Sequence, residues 1–272
     1  MANEKKLPKH FRVCREPYLK VEAKEPQRTG LDTLNLSGSA QFSKNALDAI
    51  IIHLNHKGPF CIIDLRQEFH GYLNGSAVSW YIPKDWINRD KIPSQIAEQE
   101  KKLLDELKSQ DKVSVTTIEE KGEAGEILKS THQVFPVLTV EDEKQVSTKA
   151  NANYLRLYVT DHLAPNELEV NRFIKFITSQ PEDYWLHIHC AGGDGRTTTF
   201  MAMVDMLHNA KKVPFDEIIN RQHLLGGIDL SHLGEKDGWK YPYAKERYEY
   251  LRRFYKYASE NKDGYQTPFK TY

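Results

Sequence analysis

Apolar positions recur along this chain in two rhythms, one of a helix and one of a strand. Leu47, Ile50, Ile51 and Leu54 stand at the i, i+3, i+4, i+7 spacing of an amphipathic helix over 46–55. The run Phe60 to Asp64, entered from Gly58-Pro59, reads as a short buried strand. A charged helix over about 93–109 opens on Pro93, whose missing N–H costs nothing in a first turn. Tyr154 to Val159 reads as a strand, and Pro165-Asn166 opens a helix with Val170, Phe173, Ile174 and Ile177 as its buried stripe. Trp185 to Ile188 is a further buried strand. Beyond a glycine-rich loop, Phe200, Met203, Val204 and Leu207 restore helical spacing, and an aromatic-rich helix over about 243–257 closes the fold. Strands alternating with helices predict an α/β core.

The rhythm changes between these blocks. Val113 to Thr116 and Val134 to Val140 alternate like strands, separated by the turn-rich stretch Glu120 to Gly125. The expected organisation is a core formed by 1–110 and 150–272, interrupted by a small β-rich insertion at 111–149.

With 272 residues the chain can bury a substantial core. Lys plus Arg number 38 and Asp plus Glu number 38, so no net field attracts nucleic acid, and a highly anionic ligand would need a local cluster of cations. Apolar runs are strand-sized, and no membrane span is expected. The Met-Ala-Asn-Glu-Lys-Lys start lacks the apolar centre of a signal peptide. The expectation is a soluble protein, either cytoplasmic or exported with any leader absent from this chain. Cys14, Cys61 and Cys190 have neither the number for a disulfide framework nor the spacing of a zinc site. No metal or other cofactor is expected.

Cys190 sits in a segment of its own kind. His189 to Thr197 has the form C-x5-R-[ST], between a buried strand and an apolar-periodic helix. The loop residues Ala191, Gly192, Gly193, Asp194 and Gly195 can fold into a tight cradle with N–H groups pointing inward, and the helix that follows adds its positive end. Such a loop holds a tetrahedral dianion. The same donors favour a thiolate, which a free cysteine of pKa about 8.5 seldom forms at neutral pH. Arg196 offers a planar fork for two phosphoryl oxygens. Thr197 is placed to hydrogen-bond sulfur when it leaves. The chemistry is that of a phosphatase working through phosphocysteine, and it needs an acid for the leaving alkoxide. Asp161, in Thr160-Asp161-His162 at the end of a predicted strand, is the candidate. Asp183 competes, but lies too near the strand that enters the loop.

At these residues the chain resembles the bacterial protein-tyrosine-phosphatase-like inositol polyphosphatases, or cysteine phytases. The likeness runs through HCAGGDGRTT at 189–198, DLRQEFH at 64–70 and on to Ser79-Trp80-Tyr81, TDH at 160–162, RQH at 221–223 with Gly226-Gly227, and Asp263 to Pro268. It implies a phosphatase core with a parallel-rich sheet flanked by helices, plus a small partial β-barrel. It further implies metal-free, stepwise dephosphorylation of myo-inositol hexakisphosphate and lower inositol phosphates, with Cys190 as nucleophile, Arg196 as phosphate clamp and Asp161 as general acid.

By the same resemblance Arg12 reaches the bound substrate, Glu68 and Asp85 contact the ring or its phosphates, His162 stands beside the acid, and Lys236 and Lys240 hold outer phosphates. Lys121 is the nearest match to a further lysine from the barrel. Plainer readings stand beside these: Arg66 and Glu68 as a structural ion pair below the site, Lys236 and Lys240 as a solvated face, and Tyr241, Tyr243, Tyr248, Tyr250 and Tyr255 as packing. Asp194 would oppose phosphate unless it points outward, and Phe69 replaces a common small hydroxyl residue. A protein phosphotyrosine phosphatase shares every catalytic residue and is the alternative function, with a phosphoprotein as partner. A silent phosphate-binding module would need no Cys190.

Overall fold

A computed structural model describes residues 6–271; the Met1 to Lys5 start, read above for a leader, lies outside the described residues. The strands are β1 (Arg12–Val13), β2 (Leu36–Ala40), β3 (Phe60–Arg66), β4 (His70–Leu73), β5 (Ser76–Ser79), β6 (Lys112–Lys121), β7 (Ile127–Pro136), β8 (Val140–Glu141), β9 (Asn153–Val159) and β10 (Trp185–Cys190). The helices are α1 (Lys44–Leu54), α2 (Pro93–Lys108), α3 (Glu143–Lys149), α4 (Glu167–Thr178), α5 (Gly195–Asn209), α6 (Phe215–Leu224) and α7 (Tyr241–Glu260).

Five strands form the central sheet in the order β1-β2-β10-β3-β9. All its pairings are parallel except that of the edge strand β1 with β2. Successive side chains of β3 point to opposite faces. Cys61, Ile63 and Leu65 enter a large core with Val170 and Phe173 of α4, Phe200 and Met203 of α5, Ile218 of α6 and Leu251 of α7. Ile62 enters a smaller core on the other face, with Leu47 and Ile50 of α1 and Val146 of α3. The sheet is thus covered on both sides, which is why its strands read as continuous apolar runs. The α/β class and the parallel-rich sheet flanked by helices are as expected.

The β-rich stretch is more dispersed than its rhythm suggests. β6 and β7 form an antiparallel hairpin. β8 leaves that hairpin and pairs with β4, which pairs in turn with β5, so this sheet draws its strands from both sides of residue 111. Asp142 caps α3 with a reciprocal capping box to Gln145. Glu143, the first residue of α3, is buried beneath the central sheet.

Candidate active site

Parallel order puts the chemistry at one end of the sheet. β10 ends on Cys190, the chain leaving β3 carries Glu68, and the chain leaving β9 carries Asp161, and these three strands are neighbours. Ligands of open parallel sheets bind at this carboxyl edge.

The loop after β10 turns tightly around the sulfur. Gly193 has φ +78°, and a Cβ there would lie 2.4 Å from the Ala40 nitrogen, so no other residue fits. Its N–H donates to Cys190 Sγ at 3.3 Å, and Thr197 Oγ1 donates at 3.2 Å. α5 starts at Gly195 without a side-chain cap, leaving N–H groups of its first turn for an anion. The Asp194 carboxylate pairs with His10 at 2.8 Å, both side chains substantially exposed, and Asp194 is also part of the cleft lining.

Arg196 is buried and held from below. Its Nη1 and Nη2 donate to the two oxygens of Glu68 at 2.7 and 3.0 Å, and Nη1 also reaches the Val159 carbonyl at 3.1 Å. Nε faces Asp161 Oδ1 at 3.1 Å as an ion contact without hydrogen-bond alignment. Burial works against the Arg196 charge, but Asp161, Glu68 and Cys190 more than offset it and hold the guanidinium protonated. Glu68 is likewise buried, yet Arg196 and Arg66 keep it well below the usual carboxylate range. Arg66 joins it through Nε at 2.9 Å.

Asp161 and His162 line the cleft with Asp85, and His162 Nε2 lies 3.2 Å from Asp161 Oδ2. Burial lowers the His162 pKa, with Lys240, Arg196 and Arg247 adding to the effect and Asp161 opposing it. Asp85 is pushed up to about 6 by burial and by the charges of Glu68 and Asp161. Lys84 and Asp85 both have positive φ, 65° and 57°, a strained pair of the kind that gathers at functional sites.

The cleft over Cys190 measures about 830 Å³. Lys84, Lys121, Lys240 and Arg247 bring cations to its walls. Lys121 arrives on the tip of the β6–β7 hairpin, which docks through bonds from Tyr81 Oη to the Gly125 carbonyl and from Trp239 Nε1 to the Glu123 carbonyl. Arg247 and Lys84 escaped the sequence reading. A signal for Arg247 was present, since Lys240, Ala244 and Arg247 have helical spacing and all three line the cleft.

Three expected substrate contacts lie elsewhere. Arg12 is buried behind the loop, its guanidinium donating to the carbonyls of His10 and Gly193 at 2.9 Å each and to Thr198 Oγ1 at 3.0 Å. It braces the cradle from the back, because β1 runs along the far edge of β2. Glu68 is spent on Arg196 and Arg66, the ion-pair reading of that residue. Lys236 is exposed and outside the cleft lining.

Beneath the site Asp64, His70 and Glu143 bring ligand atoms within 4.8 Å of one another, a spacing that could hold a metal ion. The group is already balanced: Asp64 accepts from Tyr154 at 2.7 Å and faces Arg156 at 3.4 Å, and Glu143 meets His189 at 2.5 Å. Burial and Arg66 push His70 down, but its carboxylate partner Asp64 lifts it to about 9, so the imidazole serves as a cation between these carboxylates.

The PTP-like phytase family model, described by the words inositol hexakisphosphate, matches residues 63–208, the stretch that carries Glu68, Asp161, Cys190 and Arg196. The chain belongs to the PTP-like phytase family. Among solved PTP-like phytase structures, the PTP-like myo-inositol phosphatase of Mitsuokella multacida in complex with myo-inositol-(1,3,4,5)-tetrakisphosphate is similar at TM-score 0.91 and 38% identity, over 98% of this chain and 45% of that one. A PTP-like phytase from Bdellovibrio bacteriovorus is similar at TM-score 0.75 and 34% identity, over 96% of this chain and 88% of that one. Effector protein hopD2 of Pseudomonas syringae pv. tomato is 32% identical over 239 residues, 86% of this chain and 50% of its own length. The chain therefore spans about half the length of the Mitsuokella and Pseudomonas proteins. No helix among the described residues is long and apolar enough to cross a membrane.

Proposed function

We propose that this PTP-like phytase hydrolyses phosphate monoesters of myo-inositol polyphosphates through a phosphocysteine intermediate. The observation that carries the reading is the joining of Cys190, in its cradle of N–H donors, with four cations on the walls of one cleft. The cradle suits a single phosphate. The cations suit a substrate that carries several more, as a chain of zero net charge requires.

In the first step the Cys190 thiolate attacks phosphorus in line with the ester oxygen. The S–P bond forms as the P–O bond breaks, and Asp161 gives its proton to the departing inositol oxygen. Arg196 keeps Nε–H and the second Nη2–H for the phosphoryl oxygens, while Glu68 fixes the plane of its fork. In the second step Asp161 takes a proton from water as its oxygen attacks phosphorus. The S–P bond breaks, inorganic phosphate leaves, and Thr197 donates to the thiolate. Asp85 and His162 flank the acid, and Lys84, Lys121, Lys240 and Arg247 hold the remaining phosphates. The likeness to the Mitsuokella enzyme bound to an inositol tetrakisphosphate supports this substrate class. The likeness to a protein named an effector supports an exported or translocated place of action.

Side-by-side turnover of inositol hexakisphosphate and a phosphotyrosyl peptide tests the reading. A kcat/KM higher for the inositol phosphate by about tenfold or more is expected, since each 1.4 kcal/mol of extra phosphate contact is tenfold. A preference for the peptide would overturn it.

A further inference from the structure

Asp161 stands on a turn that is itself under tension. His162 has φ +67°, a left-handed conformation unfavourable for a residue with a side chain. The Asp161 carboxylate is drawn towards Arg196 Nε at 3.1 Å and His162 Nε2 at 3.2 Å. Neither partner places the backbone. Two neighbours do so: Thr160 Oγ1 donates to Gln67 Oε1 at 2.7 Å, and Trp86 Nε1 donates to the Asp161 carbonyl at 2.9 Å.

Trp86 is unusually well fixed for a loop residue. Its ring meets Tyr243 and Trp239 edge to face, at centroid separations of 5.7 and 6.4 Å. Lys84 Nζ lies 4.8 Å from the ring centroid and the Arg89 guanidinium 4.5 Å. Nearby, Asn88 Nδ2 ties the same loop to the Gln67 carbonyl at 2.9 Å. The indole N–H is therefore a rigid donor, and it is spent on the backbone of one residue. Trp86 does not line the cleft.

We propose that Trp86 is a positioning residue for the acid, fixing the Asp161 backbone at the cleft so that its carboxyl is held within reach of the leaving oxygen. This rests on the reading of Asp161 as the acid. A carboxyl with two side-chain torsions goes where its Cα is put, and a displacement of about 1 Å in a reacting group costs on the order of a hundredfold in rate.

The test is a leaving-group comparison on the full chain, with Trp86→Phe, Asp161→Asn and the double variant assayed on inositol hexakisphosphate and on 4-nitrophenyl phosphate. The first substrate leaves as an alkoxide that needs a proton, the second as a stabilised phenolate that does not. Trp86→Phe is expected to lower kcat on inositol hexakisphosphate by about tenfold or more and to change the aryl phosphate by no more than about threefold. In the Asp161→Asn background it should cost nothing further, because the group it positions is gone. Equal losses on both substrates, no loss on either, or a multiplicative loss in the double variant would overturn the proposal. Trp86→Leu also lacks the donor, and the contrast can be read on whichever variant folds. Asp161→Asn showing no contrast between the substrates would overturn the acid assignment itself, and this inference with it; contrast in Asp161→Asn but not in Trp86→Phe overturns the inference alone.

Discussion

Glu68 takes Arg196 on both carboxylate oxygens, at 2.7 and 3.0 Å, in a place where neither residue is more than 3% exposed. Arg66 shares the same carboxylate, so one buried anion holds two cations. Glu68→Gln keeps the shape and removes the charge, leaving two buried guanidinium groups to repel each other. Breaking a buried pair from one side costs about 3–5 kcal/mol. The thermal midpoint should fall by about 10 °C, and turnover should drop with the loss of the Arg196 fork. Thermal melts and steady-state rates check both, and an unchanged midpoint would show that the pair is dispensable.

Cys190→Ser should leave no measurable turnover, because a serine hydroxyl in this cradle is not ionised and the site holds no base beside it in the attack. Binding should survive, since the Gly193 N–H, the start of α5 and Arg196 are untouched. Calorimetric titration with inositol hexakisphosphate checks the second half of the expectation.

Arg247 and Lys236 separate a cleft residue from a surface one. Arg247→Ala should raise KM for inositol hexakisphosphate by about tenfold, the value of a charged hydrogen bond, and change an aryl monophosphate little. Lys236→Ala should change neither. The opposite ranking would return the outer phosphates to the loop before α7.

Asp85, with its pKa near 6, becomes an anion inside an anion site as pH rises through that value. KM for inositol hexakisphosphate should therefore climb above about pH 6. Asp85→Asn should flatten that rise, and KM measured from pH 4.5 to 7.5 for both proteins reads it directly.

The network under the sheet makes a prediction about stability. His70 is raised from 6.5 to about 9 in the fold, so the stability it contributes is complete below pH 6.5 and is lost as pH rises towards 9. Burial opposes the charge of Glu143, but His189 outweighs it and lowers the pKa from 4.5 to about 2, so that contribution is complete above pH 4.5 and is lost as pH falls towards 2. Thermal midpoints should be highest between those limits. His70→Asn should remove most of the slope on the alkaline side, and a slope unaltered by that change would assign it to other groups.

Much of the core was legible because its elements are buried on one stripe or on both faces. The helices α1, α2, α4, α5 and α7 and the strands β3, β9 and β10 all announce themselves in periodicity. β2 does not, since Leu36-Ser37-Gly38-Ser39-Ala40 is small and polar although wholly buried. Its hydroxyls are occupied by His187, a partner far away in sequence. The β4–β5 hairpin carried a local signal in Asn74-Gly75, both at positive φ as a two-residue hairpin turn needs. Arg12 shows the limit of a motif: the residue matters to the loop, but an edge strand sends its guanidinium to the back of the cradle rather than the front.

Sequence alone determined the loop from Cys190 to Thr197, because cradle, sulfur and clamp are contiguous and their chemistry is set by residue type and by one tight turn. It also set β3, β9 and β10, whose burial is written in their composition. Tertiary structure decided everything that depends on which strands are neighbours. The order β10-β3-β9 brings Glu68 and Asp161 to Arg196 and closes the carboxylates of α3 and β3 around His70, while α7 puts Arg247 on the cleft wall and Lys236 stays outside it. Glu68 meets Arg196 across 128 residues of chain and Glu143 meets His70 across 73, and no local periodicity encodes such contacts.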